Sequence, residues 1–262
     1  MKIAVLLIVA NGDTFYQRWI DYYEACPYVD YIVVSNGFTE NWHNAGLPCN
    51  IQHVNYNPIK TQILLSRDFH KNKLCQQNYA MDFMPDDTDY IWIADVDEFY
   101  HYEDIKTIRK QLEKHEYTYA EFYFNNFWKR LNTIAVGGVK WGFDISVGRI
   151  FKYHKGAMFT EHRPISLLGE NGVDVQFINP MPLQSDIKCF HYSFINDTLV
   201  KEKMMYYAKT FSNDFYNLWF ENVYMKWSEY NRNEIEDKYS THPTNAGAKT
   251  KDINLKNPII LL

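Results

Sequence analysis

The chain has 262 residues, enough for one large domain with a substantial core, or for one domain with a small appendage. Hydrophobic residues make up 46% and charged residues 23%, which excludes disordered and fibrous classes, and a net charge of −5 argues against a broad basic face for sequence-independent nucleic-acid binding. Aromatic residues are abundant, with 21 Tyr, 17 Phe and 7 Trp, side chains that pack cores and also stack on sugar rings or bases.

Ile3 to Ala10 is a continuous apolar run of strand length that ends in Asn11-Gly12-Asp13, which is turn and N-cap chemistry. Phe15, Trp19, Tyr22, Tyr23 and Cys26 then recur at helical spacing. Tyr31-Ile32-Val33-Val34-Ser35 reads as a second buried strand closed by Asn36-Gly37. This βαβ pattern makes the first run a central strand rather than a cleaved signal peptide. No run approaches the ~18 apolar residues of a membrane span, and a cytoplasmic enzyme is expected. Cys26, Cys49, Cys75 and Cys189 form no C-x-x-C pair, so zinc and redox chemistry are not indicated and reduced thiols are expected.

The alternation continues with a short strand near Ile51 to Val54, a helix from about Lys71 to Phe83 and a strand Tyr90-Ile91-Trp92-Ile93-Ala94. A mostly parallel sheet with crossover helices, an α/β fold, is implied. Ile105, Ile108 and Leu112 mark a helical stripe, and Tyr117 to Phe124 a strand of aromatics. Gly137 to Phe190 carries short strand-like runs, and Thr198 to Arg232 is helical and aromatic.

Asp95-Val96-Asp97-Glu98-Phe99 places carboxylates just beyond the carboxyl end of an all-apolar strand, where open α/β sheets bind ligands. Two carboxylates one residue apart can share a hard divalent cation, Mn2+ or Mg2+, which in turn neutralises a diphosphate.

With that motif in place, the chain resembles GT-A glycosyltransferases, specifically the family 2 enzymes and relatives with an Asp-x-Asp-Glu-Phe signature. The likeness covers roughly residues 3 to 210. It implies a donor half of about residues 1–100 and an acceptor half of about 101–210, leaving 211–262 as an aromatic helical C-terminal extension packed on them. Trp19 to Tyr23 and Val33 to Thr39 are similar to the family's opening helix and second strand. Where the family carries an acidic residue that reads the nucleobase, this chain has Ser35 and Asn36. Lys73 and Asn78 resemble polar positions that face the donor, and Arg149-Ile150-Phe151 the family's Arg-x-Phe strand, placing Arg149 at the donor. Phe190-His191-Tyr192 resembles the histidine motif that completes the metal site.

The resemblance implies transfer from a nucleotide-diphosphate sugar, a UDP-sugar in the first instance, to an acceptor hydroxyl, with inversion. Asp97, Asp95 and His191 would hold the metal. A carboxylate of the acceptor half would act as general base, Glu161 in first place and Asp144 in second. The acceptor is a glycan or another hydroxyl-bearing group, a hydroxymethylated nucleobase among them. Two alternatives stand beside this reading. One is a nucleotidyltransferase of similar fold, although Asn11-Gly12-Asp13 lacks its Gly-rich phosphate loop. The other is a non-catalytic glycan-binding relative.

Overall fold

The computed structural model describes residues 1–10, 15–66, 68–136, 146–162, 165–227 and 249–252. Its first half runs β1 (Ile3–Val9), α1 (Tyr16–Ala25), β2 (Tyr31–Asn36), α2 (Glu40–Asn44), β3 (Thr61–Leu65), α3 (Lys73–Met81) and β4 (Tyr90–Ile93). β1 lies between parallel neighbours β2 and β4, and β3 pairs in parallel outside β2. A strand covered on both faces has no water-facing side to make polar, which is why β1 and β4 are apolar throughout.

The second half comprises β5 (Glu98–Phe99), α4 (Tyr102–His115), β6 (Tyr119–Trp128), β7 (Thr133–Val136), β8 (Ser146–Lys152), β9 (Phe159–His162), β10 (Ile165–Leu167), β11 (Lys188–Phe194), α5 (Asp197–Thr210), α6 (Phe215–Trp219) and β12 (Lys249–Asp252). β8 enters antiparallel beside β4 and extends the sheet to β6, β7 and β12, while β11 pairs in parallel with β6 and antiparallel with β5. The sheet is therefore parallel from β3 to β4, and beyond β4 it mixes both senses. β9 and β10 form a separate hairpin.

Two expectations change. Residues 51–54 form no strand; the third parallel strand is β3, and the carbonyl of Gln52 instead accepts from the Asn36 side-chain amide at 3.2 Å. The segment after residue 210 is helical only in part. α6 and a π-helical turn, Phe220–Tyr224, pack Trp219 and Tyr224 against Trp128 and Phe194, but Lys249–Asp252 returns to the main sheet as the edge strand beside β7. Much of the aromatic excess is core: Trp19, Trp92, Trp128 and Trp219 are fully buried.

α1 positions the later motif. Its Tyr16, Trp19, Ile20, Tyr22 and Tyr23 face inward, and the Tyr23 hydroxyl donates to the Glu98 carbonyl at 3.1 Å while Tyr22 donates to the carbonyl of Tyr100. Asn72 caps α3 by accepting from the Cys75 N–H, and Asn196 caps α5 by accepting from Thr198 and Leu199.

Asp30 ties the start of β1 to α4. It accepts from the Ile3 N–H at 2.9 Å, Lys2 Nζ at 3.1 Å and Arg109 Nη1 at 2.7 Å. Burial pushes its carboxyl up, but these three donors outweigh burial and hold it below the usual carboxylate range. A depressed pKa in the folded state means stability that is present above the unfolded value and lost as pH falls through the folded one. Asp30→Asn is therefore expected to lose about 1.5–3 kcal/mol at pH 7, the size of hydrogen bonds to a charged group. The gap to the wild type should close below pH 3.8, which urea denaturation at pH 7 and at pH 3 measures. A loss equal at both pH values would mean that the charge contributes nothing.

Candidate active site

β4 ends at Ile93, and Ala94 still donates to Leu6 of β1 at 3.1 Å, so the sheet fixes the chain up to the first carboxylate. The turn that follows is closed twice. The Glu98 N–H donates to the Asp95 carbonyl at 2.9 Å, and the Asp95 N–H donates to Glu98 Oε2 at 3.3 Å. Asp95 is the outermost carboxylate, with its side chain 36% exposed; Asp97 is 19% exposed and Glu98 is fully buried.

Glu98 meets Arg149 of β8. The register that sets Trp92 opposite Ile150 carries Arg149 to the end of β4, where Nε donates to Glu98 Oε2 at 2.8 Å and Nη2 bonds Glu98 Oε1. Nη2 also reaches Asp95 Oδ2 at 3.5 Å, and the guanidinium lies 5.2 Å from the Phe124 ring centroid. Burial pushes the Glu98 carboxyl up, to about 8, against the pull of Arg149, while Glu98 and Asp95 together keep Arg149 charged despite its own burial. Gly148 precedes the arginine because Tyr119 packs where a Cβ would stand. The arginine expected at the donor thus has its guanidinium on Glu98, with Asp95 as its second carboxylate neighbour.

Asp97 turns the other way, toward β11. Its carbonyl accepts from the Tyr192 N–H at 2.9 Å, and its Oδ2 lies 3.7 Å from His191 Nε2. β11 and β6 pair in register at His191 and Asn126, and Asn126 Oδ1 takes the Nδ1–H of the imidazole at 2.6 Å. That bond assigns the neutral tautomer with its lone pair on Nε2. Burial lowers the His191 pKa to about 4, with Asp97 opposing, so the ring is neutral at pH 7. Burial pushes the Asp97 carboxyl up, but the charges of His191, when protonated, and of Lys203, together with the Ser193 hydroxyl, outweigh burial and hold it below the usual carboxylate range.

Ser193 Oγ stands at the centre, 2.5 Å from Asp97 Oδ2, 2.7 Å from His191 Nε2 and 2.5 Å from Lys203 Nζ of α5. One hydroxyl proton therefore faces two acceptors, Asp97 Oδ2 and His191 Nε2. A divalent cation between them would satisfy both, with nitrogen and oxygen donors that suit Mn2+ and Mg2+. Among the described residues no three His, Cys, Asp or Glu side chains stand ready to enclose a metal ion. A pair with phosphate oxygens completing the shell is the magnesium-type arrangement. The residues fit the group on that basis.

The other expected residues are placed as follows. Ser35 and Asn36 are buried at the carboxyl end of β2, and Gln76 Nε2 of α3 donates to the carbonyls of Val9, Ser35 and Gly37 at 3.0–3.3 Å. Ser35 Oγ and Gln76 Oε1 are buried with no hydrogen-bond partner among the described residues. Lys73 opens α3 with its Nζ 5.8 Å from the Tyr206 ring centroid. Asn78, expected at the donor, closes two bonds with the Phe159 backbone through its amide, at 2.9 and 2.8 Å, and pins β9 to α3. Glu161 is exposed on β9, outside the Asp95–His191 cluster, and its neighbour His162 bonds Gln77 Oε1 at 3.1 Å. Asp144 lies outside the described residues. Sequence reasoning missed Glu98 as the anchor of Arg149, and also Ser193, Lys203 and Asn126. Ser193 carried a signal, two positions after His191 on one face of a strand; Lys203 carried none.

No protein-family model matches the chain, and no curated protein matches it in sequence. Among solved structures, S. aureus TarS 1-349 aligns with a TM-score of 0.44 and 10% identity over 82% of this chain and 66% of that one, so the chain spans just under two thirds of it. TarS 1-349 in complex with UDP-GlcNAc gives 0.43 and 9% over 82% and 68%, and A197 from STIV gives 0.33 and 13% over 73% and 86%. Scores of this size leave the site to be read from its own strand register and side-chain geometry.

Proposed function

We propose that the chain is a divalent-cation-dependent glycosyltransferase that moves a sugar from a nucleotide-diphosphate donor, a UDP-sugar in the first instance, to an acceptor hydroxyl with inversion. One observation carries the reading: an ionised Asp97 and the lone pair of a neutral His191 converge at 3.7 Å beside Asp95, beyond the carboxyl end of a parallel strand. Asp97 and His191 would hold Mn2+ or Mg2+, with Asp95 as a further carboxylate at the edge of the site, and the ion when bound would offset the negative charge of the departing diphosphate.

The chain's own groups supply the rest. The Arg149–Glu98 pair fixes Asp95 at the edge of the site. Ser35 and Asn36, at the carboxyl end of β2, are the residues proposed to meet the nucleoside. Lys73 supports the donor from the start of α3. Transfer forms a bond between the acceptor oxygen and the anomeric carbon. The bond from that carbon to the diphosphate oxygen breaks, and its electron pair leaves with the diphosphate. The hydroxyl proton passes to a base on the opposite face of the sugar, Glu161, with Asp144 as the second candidate. The acceptor is a glycan or another hydroxyl-bearing group.

Incubation with UDP-, GDP-, ADP- and dTDP-sugars in Mn2+, scored by release of nucleoside diphosphate, tests the reading. Metal-dependent release with one donor is the expected result; glycan binding with no release from any donor would make the chain a binding protein. Within the same assay Glu161→Gln should lower transfer by roughly 10²–10⁴ while donor binding by calorimetry is unchanged, the usual size of a general-base contribution. Turnover at the wild-type rate in Glu161→Gln, with loss in Asp144→Asn, would move the role to Asp144.

A further inference from the structure

We infer that Lys203 is a diphosphate-binding residue, a fixed cation that α5 delivers to the leaving-group side of the carboxylates. The inference rests on the nucleotide-diphosphate reading above and adds to it a residue that no motif in the chain indicates.

Lys203 Nζ donates one hydrogen bond, to Ser193 Oγ at 2.5 Å, and lies 5.5 Å from the Phe194 ring centroid. An ammonium has three protons to donate. Ser193 Oγ takes one, and among the described residues no carboxylate forms an ion pair with Lys203, although Asp97 Oδ2 lies just across the same hydroxyl. The ammonium therefore stands one atom removed from the Asp97–His191 pair, half-buried, with two N–H bonds to offer to a ligand. Its surroundings are built rather than incidental. Asn196 caps the start of α5, Val200 and Met204 bury the face beside Lys203, and Ser193 is itself fixed by its bonds to Asp97 and His191.

A second ammonium approaches from the other wall. Tyr206 follows Lys203 by three residues on α5, so the two share a helix face, and Lys73 of α3 sits over the Tyr206 ring at 5.8 Å. Among the described residues Lys73 likewise forms no ion pair with a carboxylate. Two cations with no direct ion pair among the described residues thus stand on neighbouring helices, Lys203 of α5 one hydroxyl away from Asp97 and Lys73 of α3 over Tyr206 of the same α5 face. A multiply charged anion that bridges a metal and an ammonium fits this polarity. A neutral sugar does not need it, and a second cation would be repelled by it. The diphosphate of the donor is the anion that transfer chemistry brings there, and it gains charge as its bond to the sugar breaks, so an N–H donor held in place is of most use on that oxygen.

The test is calorimetric binding of UDP, GDP, ADP and dTDP and of the matched nucleosides, in Mn2+ and in EDTA, to wild type, Lys203→Met and Lys203→Arg. Lys203→Met keeps the apolar stem over Phe194. It should weaken the diphosphate that binds wild type by about 10–100-fold in either medium, the size of a lost charge-assisted hydrogen bond, with nucleoside binding unchanged and Lys203→Arg between the two. Lysine methylation of the wild type, read by mass spectrometry, gives a check that needs no variant: the diphosphate should protect Lys203 and the nucleoside should not. Equal affinity in a folded Lys203→Met, or Lys203 methylated at the same rate with diphosphate bound, overturns the assignment and leaves the function proposed for the site standing. A wild-type protein that binds none of the four in either medium overturns both.

Discussion

Asp97→Asn should reduce transfer by at least about 10³-fold while the metal-free protein keeps its fold. The substitution preserves the shape that meets Ser193 and leaves the carbonyl that accepts from Tyr192 untouched. What it removes is the carboxylate charge that lies 3.7 Å from His191 Nε2. A site built around a divalent cation and a diphosphate draws several kcal/mol of charge stabilisation from that arrangement, and each 1.36 kcal/mol is tenfold in rate. Donor turnover against Mn2+ concentration, with thermal melting in EDTA as the control for folding, measures it. Wild-type turnover in a folded Asp97→Asn protein would end the metal assignment.

Arg149→Met is expected to be the most destabilising single change at the site, by about 3–5 kcal/mol, because it leaves the buried Glu98 carboxyl without the guanidinium that both of its oxygens meet. Donor binding should weaken as well, since the same guanidinium reaches Asp95. The reverse change removes the problem at its source: Glu98→Met combined with Arg149→Met should recover most of the lost stability, because two apolar side chains of similar volume leave no charge to satisfy. Denaturant unfolding of the two single variants and the double variant closes the cycle. A loss below about 1 kcal/mol in Arg149→Met would show that the pair contributes little.

The two predictions separate what was legible along the chain from what was not. Asp97 announced itself because its meaning is local: an apolar strand, then carboxylates at alternate positions, a pattern whose chemistry follows from where strands end. Arg149 could be assigned to the site but not to its partner. Glu98 is 51 positions away, and only the antiparallel register of β8 on β4 brings the two together.

Strands and helices with a strong period were readable for the same local reason. β1 and β4 are continuous apolar runs because both faces are covered, and α1 and α4 carry inward stripes. The third parallel strand was misplaced to 51–54 because a four-residue stretch with an apolar residue at each end is too short to distinguish a strand from a loop anchored by one side chain. The bonds of Asn78 to Phe159 were not legible because an amide on a helix face reads alike whether it meets a ligand or a neighbouring backbone. By itself the sequence determined the α/β alternation and the position of Asp95 and Asp97 at a strand end, since both depend on spacing over a few residues. The tertiary structure alone decided which carboxylate is buried against Arg149, that His191 presents Nε2 toward Asp97, and that Lys203 arrives beside Ser193. Those outcomes depend on strand register and helix packing between segments up to 96 residues apart, and register is set by the whole sheet at once.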